Sequence, residues 1–107
     1  MDREDAVIEL PPMDADGFLL DPQRWDEALA RRLAQLDGLG ELSGDQLELL
    51  ECLREQYFRS GGLPALPHVC HLKGRSPVCL NELFPSAREA WRLAGLPNPG
   101  EEAKAYM

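Results

Sequence analysis

The chain has 107 residues, a formal charge of −8 and an apolar fraction of 44%. That length fits one domain with one modest core, and that composition excludes wholesale disorder. The acidic balance disfavours non-specific binding to phosphate backbones or anionic lipid. The charge is uneven, however: residues 1–62 carry 15 acidic and 6 basic side chains, and residues 63–107 carry 4 and 5. An anionic partner would meet the C-terminal half.

The opening MDREDAVIEL is charged where a secretory signal needs an apolar core. No run approaches the ~18 apolar residues of a membrane span. Its Val7-Ile8-Glu9-Leu10 stretch is β-like and closes at Pro11 and Pro12. Phe18-Leu19-Leu20 is a second such run. Asp16-Gly17 between them is a tight-turn signal, so the two runs predict a small hairpin or meander.

Asp21 and Pro22 then read as the cap and first residue of a helix. Trp25, Leu29, Leu33 and Leu36 would form its apolar stripe, and Asp37-Gly38 its end. A second helix follows. Ser43 and Gln46 form a capping box, with Leu42 and Leu47 as the flanking staple. Leu47, Leu50, Leu53 and Tyr57 line its inner face, widened by Leu49, Cys52 and Phe58, and Ser60-Gly61-Gly62 stops it. A short helix is predicted from Pro67 to Lys73, and another after Ser76-Pro77 with Leu80, Leu83 and Phe84 inward. Ser86 and Glu89 form a further capping box for the last helix, which runs to about Ala94. Gly95 is its left-handed stop and Leu96 the apolar clasp. Pro97 and Pro99 block continuation, leaving a loose charged tail. The predicted class is α+β: one domain over 1–107, a small N-terminal β element on about five helices, with 95–107 as a C-terminal arm.

The 3 cysteines are Cys52, Cys70 and Cys79. An odd count without a signal predicts reduced thiols and a cytoplasmic chain. His68, Cys70, His71 and Cys79 are zinc-type ligands, but no Cys-x-x-Cys knuckle is present, so no metal is predicted. Cys79, three residues after Ser76, would lie in a first helical turn, where the dipole favours a thiolate. The plainer reading makes it a small buried hydrophobe. Cys52 is core, and Trp25 and Trp91 are core or seam residues. There is no Gly-rich phosphate loop and no Ser/His/Asp arrangement. A helix-turn-helix would offer only Lys73 and Arg75 to phosphate, so direct nucleic-acid binding is disfavoured.

Taken in order, DADGFLLDPQRW, LRE-Y, GGLPAL, NELFP and AGLPNPG resemble the DsrC/TusE family of sulfur-relay proteins over about residues 7–100. The resemblance implies a small cytoplasmic α+β protein, without a cofactor, whose mobile C-terminal arm ends in a cysteine. That thiol takes sulfur as a persulfide from a donor complex of the TusBCD/DsrEFH type. It passes the sulfur toward tRNA 2-thiouridine synthesis or enters a siroheme sulfite reductase. Here the chain departs from the pattern. The arm cysteine would fall at about Glu102, and the second, upstream cysteine with which DsrC-like arms close a disulfide at about Trp91; the segment from Lys73 to Asn81 is shorter, and the tail runs on to Met107.

The resulting expectation is a non-carrying docking or regulatory paralogue, monomeric or weakly dimeric and not an enzyme by itself. Its surface would comprise Arg88, Arg92, Gly95, Leu96, Pro97, Pro99 and Gly100, offered to a sulfur-donor complex or a sulfur-accepting enzyme. The alternatives are a carrier with its thiol relocated to Cys79 or Cys70, or a helix-rich nucleic-acid-binding regulator.

Overall fold

The computed structural model describes residues 10–107. Its N-terminal turn forms as the Asp-Gly signal requires. Asp14 Oδ1 accepts from the N–H groups of Asp16 and Phe18, each at 2.9 Å, and Gly17 takes the left-handed step at φ 89°. Met13 and Leu19 make one antiparallel bridge there, and the pairing stops. No strand or sheet exists among the described residues, so the expected β hairpin and α+β class are corrected to an all-helical architecture. Prolines account for part of this. Pro11 and Pro12 have no N–H to donate to a ladder, and an isolated two-stranded hairpin is marginal in water. Val7, Ile8 and Glu9, the rest of the predicted first run, lie outside the described residues. Phe18 and Leu19 are buried in the helical core and anchor the turn instead.

The predicted first helix divides in two. Asp21 caps only a 3-10 turn, Pro22–Arg24. Trp25 is extended, and Asp26 then caps α1, Glu27–Leu36, by accepting from Leu29 N–H at 2.8 Å. The break has a tertiary cause: the Trp25 indole N–H donates to the Leu93 carbonyl at 2.8 Å, which fixes the ring where a continuous helix could not place it. Leu29, Ala30, Leu33 and Ala34 are buried, whereas Leu36 is exposed.

The longest helix, α2 (Gly44–Ser60), has the predicted capping box and a left-handed Gly61 at its end. Leu47, Leu49, Leu50, Cys52 and Leu53 are buried, Tyr57 is half-buried and Phe58 exposed. Three short helices follow: α3 (Leu66–Leu72), α4 (Cys79–Leu83) and α5 (Ala87–Leu93). They are too short to persist alone. α3 packs on α2, α4 on α3 and α5, and α5 on α1 and α2. A sixth helix, α6 (Glu101–Ala105), was not predicted. No helix among the described residues is long and apolar enough to cross a membrane.

Arg54 ties these elements at the centre. Its guanidinium donates to the carbonyls of Ala94 at 3.0 Å and Pro22 at 2.8 Å, and lies 4.5 Å above the Trp25 ring. Burial lowers its pKa from the ordinary arginine value.

Candidate functional site: the C-terminal arm

The arm begins where α5 stops. Gly95 adopts φ 70°, and Leu96 N–H closes back on the Trp91 carbonyl at 3.5 Å, the hydrogen bond of a glycine-terminated helix. Leu96 is fully buried. The Trp91 indole N–H donates to the Pro97 carbonyl at 2.7 Å, and its ring meets Tyr57 edge-on at 5.9 Å. Trp91, where the resemblance leads to the expectation of an upstream cysteine, is thus a central core residue.

Beyond Pro99 and Gly100 the chain folds back as α6. Glu102, near which the arm cysteine is expected, is exposed. Lys104 is only 7% exposed, and its ammonium lies 2.5 Å from Asp16 Oδ2 and 2.9 Å from Glu101 Oε2. Asn98 Nδ2 donates to Asp14 Oδ2 at 3.0 Å and Asp16 Oδ2 at 3.1 Å, and Arg88 donates to the Lys104 carbonyl at 3.2 Å. The expected loose tail is therefore corrected: charge pairing holds the arm against the N-terminal turn.

The titrations agree. The Lys104 ammonium, with Asn98, lowers the Asp16 pKa, and Asp16 and Glu101 raise that of Lys104. Asp14 is lowered first by its bond from Phe18 N–H. Asp16 contributes stability above its ordinary value of 3.8, lost as pH falls through the depressed one. Lys104 contributes below 10.5, and that contribution is lost as pH rises through the elevated value. The pairing thus spans the neutral range. Sequence reasoning missed Asp14, Asp16, Asn98 and Lys104. The one available signal was a lone tail lysine beside two glutamates.

The two predicted docking arginines differ. Arg88 is exposed apart from its bond to the arm. Arg92 is paired with Asp37 at 2.5 Å and lies 3.9 Å from Glu89. Ser86 Oγ caps α5 through Glu89 N–H, but the Glu89 carboxyl does not complete a box. It turns inward, and its Oε2 is buried without a hydrogen-bond partner.

Burial first, then the neighbouring Asp37 carboxylate, pushes the Glu89 pKa up to about 7. The folded state therefore holds this proton more tightly than the unfolded chain. The associated stability is complete below 4.5 and is lost as pH rises through about 7. Glu89→Gln keeps the neutral form at every pH. It should raise stability at about pH 8 by roughly 1–2 kcal/mol, discounted for partial exposure, and change little at about pH 4. Urea melts at the two pH values measure this, and equal effects at both would contradict the assignment.

The thiols also depart from expectation. Cys70 and Cys79 form a disulfide with a Cα–Cα separation of 5.8 Å, and both are buried. The reduced-thiol reading is corrected for this pair, and so is an activated Cys79 thiolate. Packing of α4 on α3 brings the two together, which an odd count cannot reveal. Ser76 precedes α4 without capping it; Val78 is the N-cap, with no side-chain hydrogen bond. Cys52 is the one free cysteine, and burial pushes its thiol pKa up. His68 and His71 are exposed while Cys70 and Cys79 are buried, so the four do not converge. Among the described residues, no three His, Cys, Asp or Glu side chains are grouped to hold a metal ion.

Comparison with known proteins places this scaffold. The family model described as "DsrC like protein" matches residues 8–101 and so ends at the first residue of α6. The Sulfurtransferase TusE homolog of Haemophilus influenzae is 36% identical over 98 residues, covering 82% of this chain and 88% of that protein. The gamma subunit of the dissimilatory-type sulfite reductase of Nitratidesulfovibrio vulgaris is 29% identical over 89 residues, covering 81% and 85%. The crystal structure of the oxidized gamma-subunit (DsrC) from Archaeoglobus fulgidus superposes with a TM-score of 0.72 at 28% identity, covering 85% and 90%. The chain belongs to the DsrC/TusE family of sulfur-relay proteins.

Proposed function

We propose that this chain serves sulfur relay as a docking or regulatory member that carries no sulfur on its arm. The observation that supports the reading is Glu102: an exposed carboxylate stands near the expected cargo position, on a helix pinned to the body. A carboxylate cannot form a persulfide. The remaining thiols are poorly suited to replace the missing one, since Cys70 and Cys79 are bonded to each other and Cys52 is buried with its thiol pKa raised. The docking face would comprise Arg88 and the Pro97–Gly100 segment, with Gly95, Leu96 and Arg92 as its internal support. The partner is a sulfur-donor complex of the TusBCD/DsrEFH type or a sulfur-accepting enzyme in the cytoplasm, serving tRNA thiolation or sulfite reduction.

The test has two parts. Incubated with a persulfide donor system, the native chain should keep its intact mass, whereas Glu102→Cys should gain the mass of a sulfur atom at that residue. The native chain should also bind the donor complex at micromolar concentration and slow the loading of a true carrier. Sulfur on Cys70 or Cys79 of the native chain would replace this reading with that of a carrier with a relocated thiol. Absence of binding would end the docking role.

A further inference from the structure

An apolar groove of about 360 Å³ runs between α3, the entry to α4 and the end of α6. Its lining includes Leu66 and Pro67 from α3, Pro77 and Val78 from the entry to α4, and Tyr106 and Met107 after α6. The disulfide connects the helices behind these walls. Cys70 lies one helical turn after Leu66 on α3, and Cys79 directly follows Val78 at the start of α4. It is a covalent cross-link between two sides that are otherwise joined by the backbone of residues 73–78.

We propose that Cys70–Cys79 is a redox site: it exchanges with an external thiol, and its state sets how far the groove walls can part. This inference does not depend on the docking role. The exchange balances with a low-molecular-weight thiol or protein dithiol as reductant. An external thiolate attacks one sulfur, forming a mixed disulfide and releasing the other cysteine as a thiolate that takes a proton. A second external thiolate attacks the reductant's sulfur in that mixed disulfide, freeing the first cysteine. Two cysteine thiols are formed, and two reductant thiols become one disulfide.

Three features support exchange at this bond. The elements that cover it are short, α3 with 7 residues and α4 with 5. Such helices open locally while a larger core persists. The core of Leu33, Leu50, Leu53 and Trp91 lies on α1, α2 and α5, so the reduced chain retains its centre. The bridge spans a sequence separation of only 9 residues, so removing it restores less freedom to the unfolded chain than opening a long loop would. Finally, Cys52 is buried with a raised thiol pKa, so it does not compete as an internal nucleophile.

The native chain would be equilibrated across ratios of reduced to oxidised glutathione, quenched in acid, alkylated and mapped by peptide mass. Cys70 and Cys79 should become alkylated together across the series. Binding of the apolar dye 1-anilinonaphthalene-8-sulfonate should rise severalfold in the reduced state, with faster amide exchange over residues 66–80. The double variant Cys70→Ser/Cys79→Ser should show the reduced-state signal at every ratio. Should it fail to fold, amide exchange of the native chain in its two redox states carries the test. A pair that stays oxidised at every ratio, or reduced at every ratio, overturns the proposal. So does a pair that titrates while dye binding and exchange stay constant.

Discussion

Gly95→Ala should destabilise the chain by about 2–5 kcal/mol, measured as a fall in the midpoint of urea unfolding. Two independent penalties meet at this residue. Its φ of 70° lies in the left-handed region, where a Cβ meets its own backbone. A Cβ there would also stand 2.2 Å from Cδ1 of Trp25, well inside contact distance. The ring cannot retreat easily, because its N–H is bonded to the Leu93 carbonyl and its face lies under Arg54. Gly38 separates the two penalties. It has φ 79° but nothing within 4 Å, so Gly38→Ala should cost only about 1–2 kcal/mol. Equal losses at the two glycines would mean that the Trp25 contact contributes nothing.

Trp91→Ala should remove about 3–5 kcal/mol, the usual range for a large aromatic deleted from a packed core. Trp91 is 1% exposed, stacks edge-on with Tyr57 and donates to the Pro97 carbonyl. Its loss should therefore do more than lower the unfolding midpoint. It should loosen the start of the arm, seen as faster amide exchange over residues 98–105. Trp91→Phe should retain most of the packing and lose mainly the part-buried hydrogen bond to Pro97, about 1–2 kcal/mol. A Phe variant as damaged as the Ala variant would contradict that division. Trp91→Cys, at the position where the upstream thiol is expected, should be nearly as destabilising as Trp91→Ala.

What the sequence disclosed was mostly local. The Ser43–Gln46 box, the Gly61 stop and the Gly95–Leu96 stop depend on residues within one helical turn, and each stands where it was read. Features decided across the chain were not legible. The break at Trp25 follows from a bond to Leu93, and the failed hairpin from a ladder that ends after one bridge. The arm's helix was hidden because its anchor, Asp16, belongs to the opposite end of the sequence. Family motifs led only to the expectation of a cargo position at about Glu102. They could not indicate that Arg92 is already engaged by Asp37, or that Cys70 and Cys79 are joined.

Arg54 has one more consequence. The carbonyls it holds belong to Pro22, in the 3-10 turn, and Ala94, at the end of α5. The Ala94 carbonyl follows the last turn of α5, where helix acceptors lack intrahelical partners, and the Pro22 carbonyl accepts from Trp25 N–H as well. Here a single forked side chain serves both. Fraying at either site strands one nitrogen of a part-buried guanidinium, so the 3-10 turn and the end of α5 should open together. Lysine, with one nitrogen on a flexible stem, cannot reproduce that fork. The residue at position 54 thus sets whether the 3-10 turn and the end of α5 open together or separately.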